Sequence, residues 1–213
     1  MKALLWISAV IAFELAAANV NGQQVGNNSV EPTSIPGVFR ISRGTNEYGI
    51  AGSASFVPVT LGGLHADEAK GRKLFVVYLH YARAISGGPR LSIQYVIEFL
   101  PLIVATHNII TTPSAPRATA YGFGLVPLGL TLNLRNSHRV KPFVNVGAGG
   151  ARFNRPVPLA DAGRFAFILK GGAGVRFFKV NGRAVSLGIE LIHFSNGNLS
   201  GSNRGLNQIA FST

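Results

Sequence analysis

Apolar and polar residues alternate along most of this chain. Val185, Leu187, Ile189 and Leu191 are separated by Ser186, Gly188 and Glu190. Leu91, Ile93, Tyr95, Ile97 and Phe99 alternate with Ser92, Gln94 and Glu98, and Phe165, Phe167, Leu169, Val175 and Phe177 oppose Lys170, Gly172, Gly174 and Arg176. Phe75, Val77, Leu79 and Tyr81 share a face in the same way. A period of two places successive side chains on opposite faces of a β-strand. Eight strands are predicted, at 47–57, 73–85, 90–102, 119–134, 140–153, 165–178, 184–195 and 205–212. Breakers lie between them, including Gly62-Gly63, Gly87-Gly88-Pro89, Thr112-Pro113-Ser114, Asn136-Ser137 and Asn181-Gly182. Within the fourth strand the apolar parity switches near Pro127, from Tyr121, Phe123 and Leu125 to Leu128, Leu130, Leu132 and Leu134, which predicts a bulge.

One face of this sheet is continuously apolar, and the other carries Glu98, Glu190, Lys170, Arg176 and many glycines. Charged and small residues suit the inside of a narrow barrel, where charges pair and glycine relieves crowding. The strands are long enough to cross a bilayer at a tilt. The apolar face is therefore expected in lipid, and the fold class is all-β: an eight-stranded antiparallel transmembrane β-barrel. A soluble sandwich with an apolar core is the competing architecture, and it leaves too little polar surface outside.

Composition supports the membrane reading. Of 213 residues, 47% are hydrophobic and only 13% charged, with 26 Gly and no Cys. Without Cys, disulfide frameworks and thiolate metal sites are excluded. The formal net charge of +12 favours anionic partners. No nucleic-acid module is present, so a phosphorylated lipid surface is the better match. Residues 1–18 have the form of a signal peptide: Lys2, an apolar run from Ala3 to Phe13, and Ala16-Ala17-Ala18 as cleavage signature. Residues 19–37, rich in Asn, Gln, Ser and Pro, are expected to form a flexible N-terminal arm, and 38–213 the barrel.

Gly147–Gly150 and Gly171–Gly174 lack dinucleotide spacing and read as strand glycines. No metal-binding spacing occurs, and no cofactor is called for. His80 stands mid-strand, whereas His65, His107 and His138 are scattered. Arg135, Arg139 and Lys141 flank a turn and are candidates for lipid phosphates or for a solvated loop.

The chemistry concentrates in Glu190-Leu191-Ile192-His193-Phe194-Ser195-Asn196. His193 and Ser195 are two apart, so they share a face, and their odd parity puts them on the apolar one. An imidazole beside a hydroxyl is the minimum apparatus for nucleophilic ester or amide cleavage.

Two segments, Ile192-His193-Phe194-Ser195-Asn196-Gly197 and Asn203-Arg204-Gly205-Leu206-Asn207, resemble the outer-membrane lipid A 3-O-deacylases, the PagL family. The stretch from Val140 to Phe178 also looks like acyloxyacyl-hydrolase-type relatives. The resemblance covers residues 40 to 213. It implies an eight-stranded barrel of the bacterial outer membrane, exported through a cleaved signal peptide, with its active site on the outer wall. It further implies a serine esterase that removes the 3-linked hydroxyacyl chain from lipid A of lipopolysaccharide. Ser195 matches the nucleophile, His193 the base and Asn196 the oxyanion residue; Gly197 and Asn203 join the substrate-binding set. The implied partners are lipid A in the outer leaflet and the membrane itself, with a homodimer as candidate assembly and no nucleic acid.

The sequence departs from the family at Asn207, where the family has a Glu that orients the histidine. Asparagine can accept a hydrogen bond from imidazole but supplies no negative charge. The corresponding Asp-to-Asn change in serine proteases lowers kcat by ~10⁴, partly through tautomer choice. A catalytically weak or inactive structural or lipid-binding barrel is therefore the alternative reading.

Overall fold

Alternation of this kind leaves each strand with an apolar face to bury in lipid and a polar face to enclose, and closing the sheet satisfies both. The computed structural model describes residues 38–59, 72–108, 117–157, 163–199 and 205–213. The expected signal peptide (1–18) and N-terminal arm (19–37), and Asn203, lie outside the described residues. Eight strands form one closed barrel: β1 (Asn46–Val59), β2 (Lys73–Gly87), β3 (Leu91–Asn108), β4 (Arg117–Leu134), β5 (Val140–Phe153), β6 (Phe165–Phe178), β7 (Ala184–Ser195) and β8 (Leu206–Ser212). Each pairs antiparallel with the next, and β1 pairs with β8 to close the ring. No edge is left unpaired, which hydrocarbon requires.

The outer wall is apolar. Leu128, Leu169, Val146, Phe123, Ile189, Leu187 and Phe167 are all exposed on it. The lumen is filled by side chains. Lys170 Nζ binds Glu98 at 2.8–2.9 Å and Glu190 at 3.4 Å, and lies 4.3 Å from the centre of the Tyr78 ring. Nearer the short turns, Arg176 donates to Glu47 (3.2 Å) and Gln94 (3.0 Å), while His80 lies 3.4 Å from Glu47. A cavity of about 140 Å³ follows this polar zone. Towards the other end the filling becomes apolar, with Leu74, Val76, Ile103, Phe153, Ile168, Ile192 and Phe194 packed together. This departs from the expected small and charged interior. Beyond Glu190 the even, inward positions of β7, Ile192 and Phe194, are themselves apolar.

The parity switch near Pro127 is a bulge: the β4–β5 register shifts between Leu125 and Leu128. The Tyr95 hydroxyl donates to the Pro127 carbonyl, which caps a ladder group that the bulge releases.

The two barrel ends differ. The connections 88–90, 135–139 and 179–183 are short, while 60–72, 109–116, 154–164 and 196–205 are longer. In outer-membrane barrels the longer loops are extracellular. The short-turn end is plugged by the segment before β1. Ile41 is buried there, its N–H donating to Asn136 Oδ1 (3.0 Å) and its carbonyl accepting from Asn136 Nδ2 (2.8 Å). Phe39 stacks on Phe178 at 5.3 Å.

Candidate active site on the outer wall

The β7–β8 hairpin fixes the site. Register pairs His193 with Asn207, and β6 pairs Leu169 with His193 and Phe167 with Ser195. On β7, Val185, Leu187, Ile189 and Leu191 are exposed, whereas Glu190, Ile192 and Phe194 are buried inside. His193 and Ser195 have the parity of the exposed set. They face the bilayer side of the wall and are half-buried among its side chains. Being at the end of β7 and the start of β8, they stand at the long-loop end.

Asn207 also faces outward but is buried, at 6% exposure. Its Oδ1 lies 2.6 Å from His193 Nδ1. A side-chain carbonyl only accepts, so Nδ1 carries the proton and donates. Nε2 is then left with its lone pair, the state a general base needs. Among the described residues no hydrogen bond joins His193 to Ser195; they are neighbours on one face without direct contact of that kind.

Two glycines shape the surroundings. A Cβ on Gly205 would collide with the His193 ring, so the ring occupies the space that glycine leaves. Gly197 has φ +61°, and a Cβ there would approach the Phe167 ring to 2.8 Å. Asn196 is buried, and its Oδ1 accepts from the Asn198 N–H at 3.0 Å. Its carbonyl accepts from the Leu199 N–H at 3.1 Å. The side-chain oxygen of Asn196 therefore builds the turn after β7. Phe167 meets Phe165 edge-on at 5.1 Å and forms an aromatic wall beside Ser195.

The electrostatic setting is one-sided. Glu47, Glu98 and Glu190 are the carboxylates among the described residues, and all three engage lumen cations. None reaches the outer wall, and among the described residues Asn207 is the polar partner of the imidazole there. Nor do Ser195, His193 and Asn207 line the lumen cavity. Among the described residues no group of His, Cys, Asp and Glu is arranged to hold a metal. His80 is a lumen residue at Glu47, apart from the site.

The basic turn residues belong elsewhere. Arg135, Arg139 and Lys141 are at the short-turn end, the opposite end from Ser195. Lys141 turns inward and donates to the carbonyls of Asn136 and His138. Parity alone does not say which end of a strand meets which leaflet, so these cations could not be separated from the site by pattern. The aromatic pair Phe165–Phe167 and the Gly205–His193 contact were also missed; both depend on register between strands.

Residues 105–213 match the family described as lipid A 3-O-deacylase (PagL). The crystal structure of the outer membrane enzyme PagL is similar, with a TM-score of 0.56 and 15% identity, over 77% of this chain and 97% of that one. No curated protein sequence matches the chain. The family match spans more than half the sequence and includes the whole β7–β8 hairpin. The chain thus belongs to the lipid A 3-O-deacylase (PagL) family and is a β-barrel of the outer membrane.

Proposed function

We propose that this barrel is a serine esterase that removes the 3-linked hydroxyacyl chain from lipid A in the outer leaflet. The observation that carries the reading is the outward-facing His193–Asn207 pair, with Ser195 beside it, at the long-loop end of a lipid-facing wall. Ser195 Oγ attacks the ester carbonyl while His193 Nε2 takes its proton. The tetrahedral intermediate collapses, and the same proton passes to the departing sugar oxygen. Water then gives a proton to His193 as its oxygen attacks the acyl carbon, and the second intermediate collapses with that proton passing to Ser195 Oγ as the hydroxy acid leaves. Asn207 holds the imidazole tautomer throughout. The Asn196 amide is the candidate donor to the oxyanion, with Gly197 and Asn203 completing the substrate loop. No metal or cofactor enters this sequence of steps.

Deacylation is tested by mass spectrometry of lipid A from cells expressing the protein. Loss of one hydroxyacyl chain is expected with the wild type and is abolished by Ser195→Ala and by His193→Ala. Unchanged deacylation in either variant removes the mechanism.

One observation favours a second reading. The described outer wall holds no carboxylate, and the family's glutamate position is Asn207. A barrel that binds lipid A without cleaving it would leave lipid A masses unshifted and free hydroxy acid absent, even with purified protein and lipopolysaccharide.

A further inference from the structure

Beyond the His193–Asn207 pair, the wall that the described residues form around Ser195 is largely apolar, and Arg152 stands out on it. Arg152 on β5 pairs with Phe123 of β4 and with Phe165 of β6, so all three project outward in one row. Arg152 is exposed, and Phe123 and Phe165 flank it. An arginine on the lipid face costs ~2–4 kcal/mol at the bilayer midplane and ~0–1 near the interface. Aromatic side chains collect at that interface. Tyr121, Phe123, Phe165 and Phe167 form such a girdle at the long-loop end, which sets Arg152 at headgroup depth.

The hairpin beyond Arg152 is braced and adds two more cations. The Phe153 N–H donates to the Arg164 carbonyl (2.7 Å), and the Asn154 N–H donates to the Tyr121 carbonyl (2.8 Å). Asn154 Oδ1 accepts in return from the Tyr121 N–H (2.9 Å). Arg155 and Arg164 are exposed on this stub. Among the described residues, no carboxylate pairs with Arg152, Arg155 or Arg164.

The spacing to the nucleophile is set by the ladder. Ser195, Phe167 and Gly150 are at one level on three successive strands. Arg152 is two residues further along β5. That places its backbone two strands, or ~10 Å, across from Ser195 and ~7 Å further towards the loops. Its long side chain can shorten this to about one sugar ring. Guanidinium matches a phosphate with two parallel hydrogen bonds, and a guanidinium at headgroup depth with no carboxylate partner among the described residues is disposed to take one.

We propose that Arg152, supported by Arg155 and Arg164, is a phosphate subsite of the outer-wall site, taking a phosphate monoester on the sugar whose ester Ser195 faces. This rests on the deacylase reading for its substrate. It predicts that the enzyme distinguishes phosphorylated from phosphate-free glycolipid on the β5–β6 side of Ser195.

The test uses the full-length protein in phosphatidylcholine vesicles, with lipid A carrying both phosphates and the same lipid A stripped of them. In a Ser195→Ala background, Arg152→Ala should weaken binding of the phosphorylated lipid by about tenfold or more and leave the stripped lipid unaffected. Arg152→Lys should keep only part of the affinity for the phosphorylated lipid, because a point charge replaces the two-pronged guanidinium. In the active protein Arg152→Ala should raise KM for the phosphorylated lipid with little change in kcat. Equal weakening for both lipids identifies Arg152 as an interfacial anchor, and no weakening for either removes its role; both overturn the proposal. Wild-type protein that releases no hydroxy acid from either lipid sinks the deacylase reading, while the binding contrast still decides the phosphate subsite.

Discussion

Replacing Asn207 by glutamate adds the one charge that the imidazole lacks. Asn207 Oδ1 already accepts from His193 Nδ1 at 2.6 Å, so the tautomer is correct before the substitution. The ~10⁴-fold loss seen for a triad Asp-to-Asn change includes a wrong tautomer and is an upper bound here. What glutamate contributes is attraction to the imidazolium that forms as Ser195 loses its proton. Two unit charges ~4 Å apart attract by ~4 kcal/mol at an effective dielectric of 20. Partial exposure of His193 lowers that to about 1.5–3 kcal/mol. The neutral ground-state imidazole gains little of it, so nearly all appears in kcat. The expected gain is about 10–100-fold. It is read as the single-turnover rate of hydroxy-acid release from lipid A, in barrels whose folding is checked by the shift in gel mobility between heated and unheated samples. A rate within twofold of wild type, in a folded barrel, would refute the view that the missing charge limits catalysis.

Two further substitutions probe the supports of the site. Gly205→Ala drives a methyl into the His193 ring and should lower kcat by ~10²-fold, the scale of a 1 Å misplacement, while the heat-dependent gel shift is retained. Undiminished turnover would mean that the ring has room to move. In the lumen, Lys170→Met strands Glu98 and Glu190 and should cost ~3–5 kcal/mol, measured as a lower urea midpoint in vesicles. Adding Glu98→Gln and Glu190→Gln to Lys170→Met should recover most of that loss, and no recovery would show that the cluster is not acting as paired charge.

Strand period carried most of the fold. Strands predicted at 140–153, 165–178 and 184–195 are β5, β6 and β7 as observed. The third strand runs on to Asn108 because a register shift between Leu100 and Ile103 breaks the alternation that marked its start. Beyond that shift Ile103-Val104-Ala105 run consecutively apolar and Thr106-His107-Asn108 consecutively polar, and period two no longer signals a strand. The sidedness of His193 and Ser195 was legible for the same reason: parity is a local property. The position of Asn207 opposite His193 was only half legible. Its outward face follows from Ile209 and Phe211, but the pairing itself is a matter of register between β7 and β8. Register is also what sets Phe167 against Ser195 and Arg152 between two phenylalanines. The length difference between the two sets of connections separates Arg135 and Arg139 from the site, and hydrophobic pattern alone does not carry it.

An enzyme with its catalytic group on an outer wall cannot shield it with a pocket, so the bilayer must supply the water-poor surroundings. That has a consequence for Asn207. The residue is 6% exposed, so a carboxylate placed there loses most of its water. A glutamate there is ionised before any imidazolium exists to pair with it. Its desolvation cost of several kcal/mol falls on the folded state and the transition state alike. It therefore cancels from kcat and appears in the stability of the β7–β8 hairpin. Asparagine holds the imidazole tautomer without that cost. Asn207→Glu should thus speed hydrolysis and at the same time lower the urea midpoint of the barrel. Apolar packing behind the hairpin, with Ile192, Phe194 and Leu206 all buried, is what would keep the backbone in place while it carries the charge. A variant that turns over faster with an unchanged or higher midpoint would show that the wall around residue 207 is wetter than its burial implies.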